Sequence, residues 1–230
     1  TVYFSHPACQ QHDNGHGHPE TAQRVARIED ALIANRLLDF VIMKSPRKAS
    51  DQDVLRVHSA QLWQHLQDST DPEKIVYIDQ ETAIAPQTID AALYASGAVL
   101  DAVDDLMAQR ATTAFCNVRP PGHHAEYDQA MGFCIINHVG IGAAYAIETY
   151  GLQRIAILDF DVHHGNGTES YVQREPKVQF YSSFEADIYP FTPEDSDLPN
   201  VLKIPLQRGD GDQAFLEAWR EHAWLALQEF

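Results

Sequence analysis

Positive charge is scarce in this sequence: 16 Lys and Arg stand against 33 Asp and Glu in 230 residues, a formal net charge of −17. A surface of that sign repels nucleic-acid phosphates and suits cationic substrates such as acylated lysine tails or polyamines. Neither nucleic acid nor a membrane is expected as a partner. No apolar run approaches membrane-spanning length and no signal-like block opens the sequence, so a cytoplasmic location is expected. Cysteine is also rare. Cys9, Cys116 and Cys134 show no C-x-x-C spacing and, being odd in number, cannot all pair. Cys116 and Cys134 sit in apolar or glycine-flanked contexts and read as reduced, buried small hydrophobes, which favours a reducing compartment. Internal repeats and low-complexity tracts are missing, so a solenoid is excluded.

The length suits a single domain spanning 1–230 with a substantial core. Strand and helix signals alternate along it. Val2–Ser5 reads as a short strand, and Glu20–Leu38 as a helix carrying Val25, Ile28, Leu32 and Leu37 at helical spacing. Asp51 is the expected cap of a short helix through Val57. Ile75–Ile78 suggests a strand. Thr88–Gln109 reads as a long alanine-rich helix, Asn137–Tyr150 as another, and Val178–Ser182 and Val201–Ile204 as strands. The acidic, proline-bearing stretch 185–200 reads as a loop. Gly211–Phe230 is expected to be one final helix with Phe215, Trp219 and Trp224 in the core. Such alternation points to an α/β fold with a mostly parallel sheet.

Two strand ends carry chemistry. Ile155–Leu158 breaks into Asp159-Phe160-Asp161-Val162-His163-His164-Gly165-Asn166-Gly167. Alternation in an extended chain turns Asp159, Asp161 and His163 to one face, where Asp161 and His163 grip a cation and Asp159 stands behind. A merely polar turn would leave two carboxylates against an apolar run without partners, which is costly. Thr112–Val118 reads as a second buried strand running into Arg119-Pro120-Pro121-Gly122-His123-His124-Ala125. Ligands of open parallel sheets sit outside the carboxyl ends of strands, so a shared pocket is expected. Carboxylate and imidazole donors suit zinc, iron(II) or cobalt, and such a cation polarises an amide carbonyl.

These motifs resemble the histone deacetylase superfamily, including bacterial deacetylase-like amidohydrolases and acetylpolyamine amidohydrolases. The matching residues are Arg119–Ala125, Met131–Cys134 with Asn137, Asp159–Thr168, and His18-Pro19-Glu20 with Arg24. The resemblance implies an arginase-like arrangement, a central mostly parallel sheet flanked by helices on both faces. It implies a zinc-dependent deacetylase that removes acyl groups from acetyl-lysine or acetylpolyamine. Asp161 and His163 are then the metal ligands. His124 is the proton shuttle, oriented by Asn166, and His123 is a more cationic neighbour oriented by Asp159.

Phe133 and Tyr189 become walls of a narrow tunnel, and Gly132 leaves room for contacts to substrate. Ser182, with backbone near Asp159, Asp161 and His163, resembles a structural K+ or Na+ site. His6, His12, His16 and His18 belong to a rim loop by the same resemblance, while His58, His65 and His222 are expected to be solvated. A ureohydrolase of the arginase type needs a two-metal set of aspartates, and the tandem Gly-His-His argues against it.

The family's pattern continues beyond this sequence, with a third aspartate ligand and a catalytic tyrosine in later segments. The expectation is therefore a domain incomplete at its C-terminal side, with the C-terminal strands absent and little turnover by the 230 residues alone. The competing reading is a truncated, catalytically defective member acting as an acyl-ligand or protein-interaction module. Rim loops and oligomeric contacts decide the substrate, and that choice stays open, as does the oligomeric state.

Overall fold

The computed structural model describes residues 1–230. In chain order the elements are β1 (Val2–Phe4), α1 (Ala8–Gln11), α2 (Gln23–Ala34), a 3-10 turn (Leu37–Phe40), β2 (Ile42–Lys44), α3 (Asp51–Leu55), α4 (Ala60–Asp68), β3 (Val76–Tyr77), β4 (Ala83–Ile84), α5 (Thr88–Met107), β5 (Ala114–Cys116), α6 (His138–Tyr150), β6 (Ile155–Asp159), α7 (Asn166–Val172), β7 (Val178–Glu185), β8 (Val201–Leu206), α8 (Asp212–His222) and α9 (Trp224–Glu229). The expected α/β class with parallel strands and flanking helices is what forms. The parallel strands fall into two three-stranded sheets, ordered β2-β1-β5 and β6-β7-β8, beside the antiparallel β3-β4 hairpin.

Where local expectations miss, the reasons are visible. The helix read over 20–38 stops at Ala34 because Arg36 takes a left-handed φ of 57°, after which the chain tightens into the 3-10 turn. Ser50, not Asp51, caps α3: its side chain accepts the Asp53 N–H while Asp53 accepts the Ser50 N–H, a reciprocal capping box. The final helix is two, broken at Ala223. Trp224 lies exposed on α9, so it is not core. Cys9 and Cys134 are buried, Cys116 only partly, and all three are free thiols.

The main core gathers Leu62, Trp63, Leu66, Leu100, Ile135, Ile136, Ile141 and Phe180 between α4, α5, α6 and β7. Burying each such side chain contributes about 1.5–3 kcal/mol, so this cluster sets the rigidity of the strand tips above it. Helix α5 also packs on β1 and β5, with Ala98 and Ala102 small enough to let the strands approach. β5 and β6 are each paired on one side only, and Phe115 and Leu158 on them are 45% exposed. Beside β6, an apolar hollow of 390 Å³ is lined by Val99, Val103, Val139 and Ile157 among others. No helix is long and apolar enough to cross a membrane.

Candidate functional site

Each histidine pair is positioned by the turn that follows a strand. After β5, Arg119 carries the chain inward: its fully buried guanidinium donates from Nε to Glu20 Oε1 at 2.9 Å and from Nη2 to Glu20 Oε2 at 2.6 Å. Its Nη1 donates to the carbonyls of Cys9 and His12. A buried charge is tolerated only when matched in this way. This ion pair pins the opening segment to the turn that presents His123 and His124. Of the opening segment, Pro19, Glu20 and Arg24 line the cavity and the His18 ring lies edge-on to Phe133, whereas His12, expected on the rim, is buried with Nδ1 2.8 Å from the Thr88 hydroxyl, and His6 stacks on Tyr94.

After β6, the strand geometry ends at Asp159 and residues 161–163 follow as bends, so that Asp161, Val162 and His163 all line the same cavity, without the alternation expected of an extended chain. The first turn of α7 then crosses to the other motif, with the Thr168 N–H donating to the His123 carbonyl at 3.1 Å. Gly165 is required there. A Cβ at that position would collide with Asp159 Oδ2 and stand 3.3 Å from His123 Nδ1.

A cavity of 390 Å³ brings together His123, His124, Gly132, Phe133, Asp161, His163 and Tyr189. Asp159 and Asn166 stand behind it, one under each histidine. His123 Nδ1–H donates to Asp159 Oδ2 at 2.9 Å, and His124 Nδ1–H donates to Asn166 Oδ1 at 2.7 Å. The two imidazole centroids are 4.0 Å apart, yet their protonation diverges. Burial alone would lower the His123 pKa, but the Asp159 carboxylate overrides it and holds the imidazole above its ordinary value. Burial, with the neighbouring His123 charge, pushes His124 down to about 3. Asp159 is burdened by burial but is held below the usual carboxylate range by His123. The result is two adjacent imidazoles shifted in opposite directions, His123 toward the protonated form and His124 toward the neutral one, with His124 Nε2 a free base.

Asp161 Oδ1 accepts the His163 backbone N–H at 2.8 Å and lies 3.2 Å from His163 Nδ1. One carboxylate and one imidazole, bonded to each other and to no other side chain, form a donor set suited to a divalent cation. No third His, Cys, Asp or Glu joins them in metal-holding geometry. Catalytic zinc sites usually have three protein ligands, so these two fit such an ion as part of its shell.

Gly132 lines the cavity and also makes room for the site's own rings: with φ 57°, its Cβ would stand 2.5 Å from His124 Cδ2 and 2.8 Å from the Tyr189 hydroxyl. Ser182 pairs with Asp159 across β6 and β7, and its hydroxyl bonds His164 Nδ1 at 2.9 Å. Tyr189 does face Phe133's side of the cavity, its ring 5.0 Å from His124. His58, expected in solvent, is 2% exposed: Nδ1–H donates to the Glu126 carbonyl and Nε2 accepts the Asn137 N–H. His65 and His222 are exposed as expected.

Glu126 is the residue sequence reasoning missed. Its Oε1 accepts the Asn166 Nδ2–H at 2.6 Å and so fixes which way that amide faces. Its place two residues after His124 was the available signal.

A profile of the histone deacetylase domain matches residues 18–230. An uncharacterized protein of Synechocystis is 37% identical, over 94% of this chain and 72% of its own length. A probable deacetylase of Archaeoglobus fulgidus is 32% identical, over 98% of this chain and 64% of its own. The histone deacetylase-like amidohydrolase of Pseudomonas aeruginosa is 32% identical, over 93% of this chain and 58% of its own. The chain thus spans less than two thirds of the latter two. The crystal structure of the HDA15 HD domain superposes with a TM-score of 0.90 at 24% identity, covering 100% of this chain and 70% of that one, a likeness of fold.

Proposed function

The chain belongs to the histone deacetylase family, and from that premise we propose that it is a metal-dependent amidohydrolase that removes acyl groups from acylated primary amines. The observation that carries this reading is the paired histidines: one bonded through Nδ1–H to the Asp159 carboxylate, which raises its pKa, one held neutral with its Nδ1–H on Asn166, both opening on the cavity that holds Asp161 and His163. Asp161 and His163 would hold the divalent cation, zinc first and iron(II) or cobalt as alternatives. Bound there, the ion supplies Lewis-acid polarisation of the amide carbonyl and acidifies water at the site.

The remaining work falls to side chains. His124 Nε2 takes a proton from the attacking water and returns it to the departing amine, a role its neutral form permits at pH 7. His123, with Asp159, places positive charge where the amide oxygen becomes negative. Phe133 and Tyr189 flank the acyl-bearing alkyl chain and exclude water around it. The net charge of −17 favours a cationic amine substrate such as an acetyl-lysine peptide or an acetylpolyamine.

With two donors in the set, weak cation binding and slow turnover are expected from these 230 residues. The same fact favours a second reading, an acyl-ligand binding module without turnover. Calorimetric zinc titration with fluorogenic acetyl-lysine hydrolysis at saturating zinc tests both. Asp161→Ala and His163→Ala are expected to abolish zinc binding, and His124→Ala to lower the measured hydrolysis by about 10²–10⁴-fold. Zinc binding untouched by the first two variants overturns the metal site. Zinc-bound protein without hydrolysis above background leaves the binding module.

A further inference from the structure

Behind the cavity sits a second polar cluster. Strand pairing sets Lys203 of β8 opposite Ser182 of β7, and the Lys203 side chain is only 3% exposed. A lysine so buried needs partners. It finds two: Glu169 Oε2 of α7 at 3.0 Å and the Pro193 carbonyl at 3.0 Å. Glu169 in turn accepts His164 Nε2–H at 2.7 Å and the Ser196 hydroxyl at 3.0 Å, and that hydroxyl accepts the Leu198 N–H at 3.3 Å. Burial alone would raise the Glu169 pKa, but the bonds from His164 and Lys203 bring it down to about 2.

Everything these bonds reach on one side belongs to a single connection, residues 186–200 between β7 and β8. That connection carries Tyr189, whose ring packs against His124. Its end is anchored by Asn200, whose carbonyl accepts the Phe180 N–H and whose Nδ2 donates to the Val172, Glu175 and Val178 carbonyls; the stretch before it has few backbone bonds, Ala186 N–H to Leu206, Phe191 N–H to Ile188 and Val201 N–H to Leu198. It is also rich in acid, with Glu194, Asp195 and Asp197. Asp195 and Asp197 line the same hollow as Glu169 and Lys203, so without the ammonium three carboxylates would share it.

We propose that Lys203 is a positioning residue: by bridging Glu169 and the Pro193 carbonyl it clamps the 186–200 connection onto α7 and so keeps Tyr189 in place as a wall of the cavity. The consequence for catalysis rests on the deacylase reading above, whereas the clamp itself does not. His123 and His124 bond Asp159 and Asn166 and make no hydrogen bond with Lys203, whose partner Glu169 reaches His164 instead. Losing the clamp is therefore expected to alter chiefly how substrate is held.

The test is hydrogen–deuterium exchange on the full chain, comparing Lys203→Met and the milder Ser196→Ala with wild type. Exchange in peptides spanning 186–200 is expected to quicken about ten-fold in Lys203→Met and several-fold in Ser196→Ala, with α5 and β7 peptides unchanged. Where acetyl-lysine hydrolysis is measurable, Lys203→Met raises KM at least several-fold while kcat stays within about two-fold. Unchanged exchange over 186–200 in both variants overturns the clamp. So does quickening spread evenly over the chain in Lys203→Met with no local change in Ser196→Ala, and so does a fall in kcat at constant KM. A wild type without hydrolysis defeats the deacylase reading alone, since the exchange comparison still decides the clamp.

Discussion

Lowering the pH from 7.5 to 5 should destabilise this fold before any carboxylate is protonated. His12, His58 and His138 are each buried and each held at about 4, chiefly by burial, against an ordinary 6.5. The bonds of His58 require the neutral form, and those of His138 are compatible with it. His58 uses one ring nitrogen to donate and the other to accept, and His138 donates from Nε2 to the Pro120 carbonyl while Nδ1 accepts the Ser96 hydroxyl.

Below the unfolded value of 6.5 the unfolded chain takes up these protons and the native state does not, so stability falls with pH until about 4. At about 1.4 kcal/mol per pH unit, each histidine costs about 2 kcal/mol between 6.5 and 5. Three together approach the whole stability of an ordinary domain, about 5–15 kcal/mol. His124 adds to the loss, and His123, raised rather than lowered, offsets part of it. Glu20 and Glu169 have lowered values, so their contribution is kept above the unfolded carboxylate range and lost only below it.

Urea unfolding followed by circular dichroism at half-unit steps from pH 7.5 to 5 measures the slope. His58→Gln keeps a donor and an acceptor but cannot titrate, and it should reduce that slope by about 1.4 kcal/mol per pH unit. A flat wild-type profile over this window, or a variant slope equal to wild type, would refute the reasoning.

Three further outcomes follow from the site. Asn166→Asp sets a carboxylate where Asn166 now donates to Glu126 at 2.6 Å. It should cost about 1–3 kcal/mol in a thermal melt, and the added Glu126→Gln should restore most of that. Gly132→Ala forces a Cβ onto the His124 ring and the Tyr189 hydroxyl at positive φ; a loss of about 1–3 kcal/mol is expected, and an unchanged melting midpoint would count against that packing. Arg119→Met removes two charge-assisted bonds from buried Glu20 and leaves it Arg24 and Asn14 as partners, so calorimetry should register a loss of about 1.5–3 kcal/mol.

How much of this was legible beforehand differs by level. The strand-then-histidine motifs located both halves of the cavity, because a short apolar run ending in glycine and carboxylates admits few conformations. The pairing of His123 with Asp159 and of His124 with Asn166 came from the family resemblance, and the distances agree with it. Helix α7 went unread because it spans only Asn166–Val172 and begins inside the motif. β4 is two residues long and acquires its meaning only by pairing with β3. His58 was misread because its partners, Glu126 and Asn137, lie 68 and 79 residues away, beyond any local pattern. Lys203 was not singled out for the same reason, its partner Glu169 lying on a different element.

The one-sided strands β5 and β6 carry a consequence for handling the protein. Each presents a row of amide and carbonyl groups that nothing claims, flanked by Phe115, Leu158 and the 74%-exposed Phe160. Such a margin templates any extended peptide that reaches it, a second molecule of this chain included. At high concentration the 230 residues should therefore grow into larger particles with a rising cross-β signal, and charge repulsion from the acidic surface, screened as salt is added, is what slows that growth.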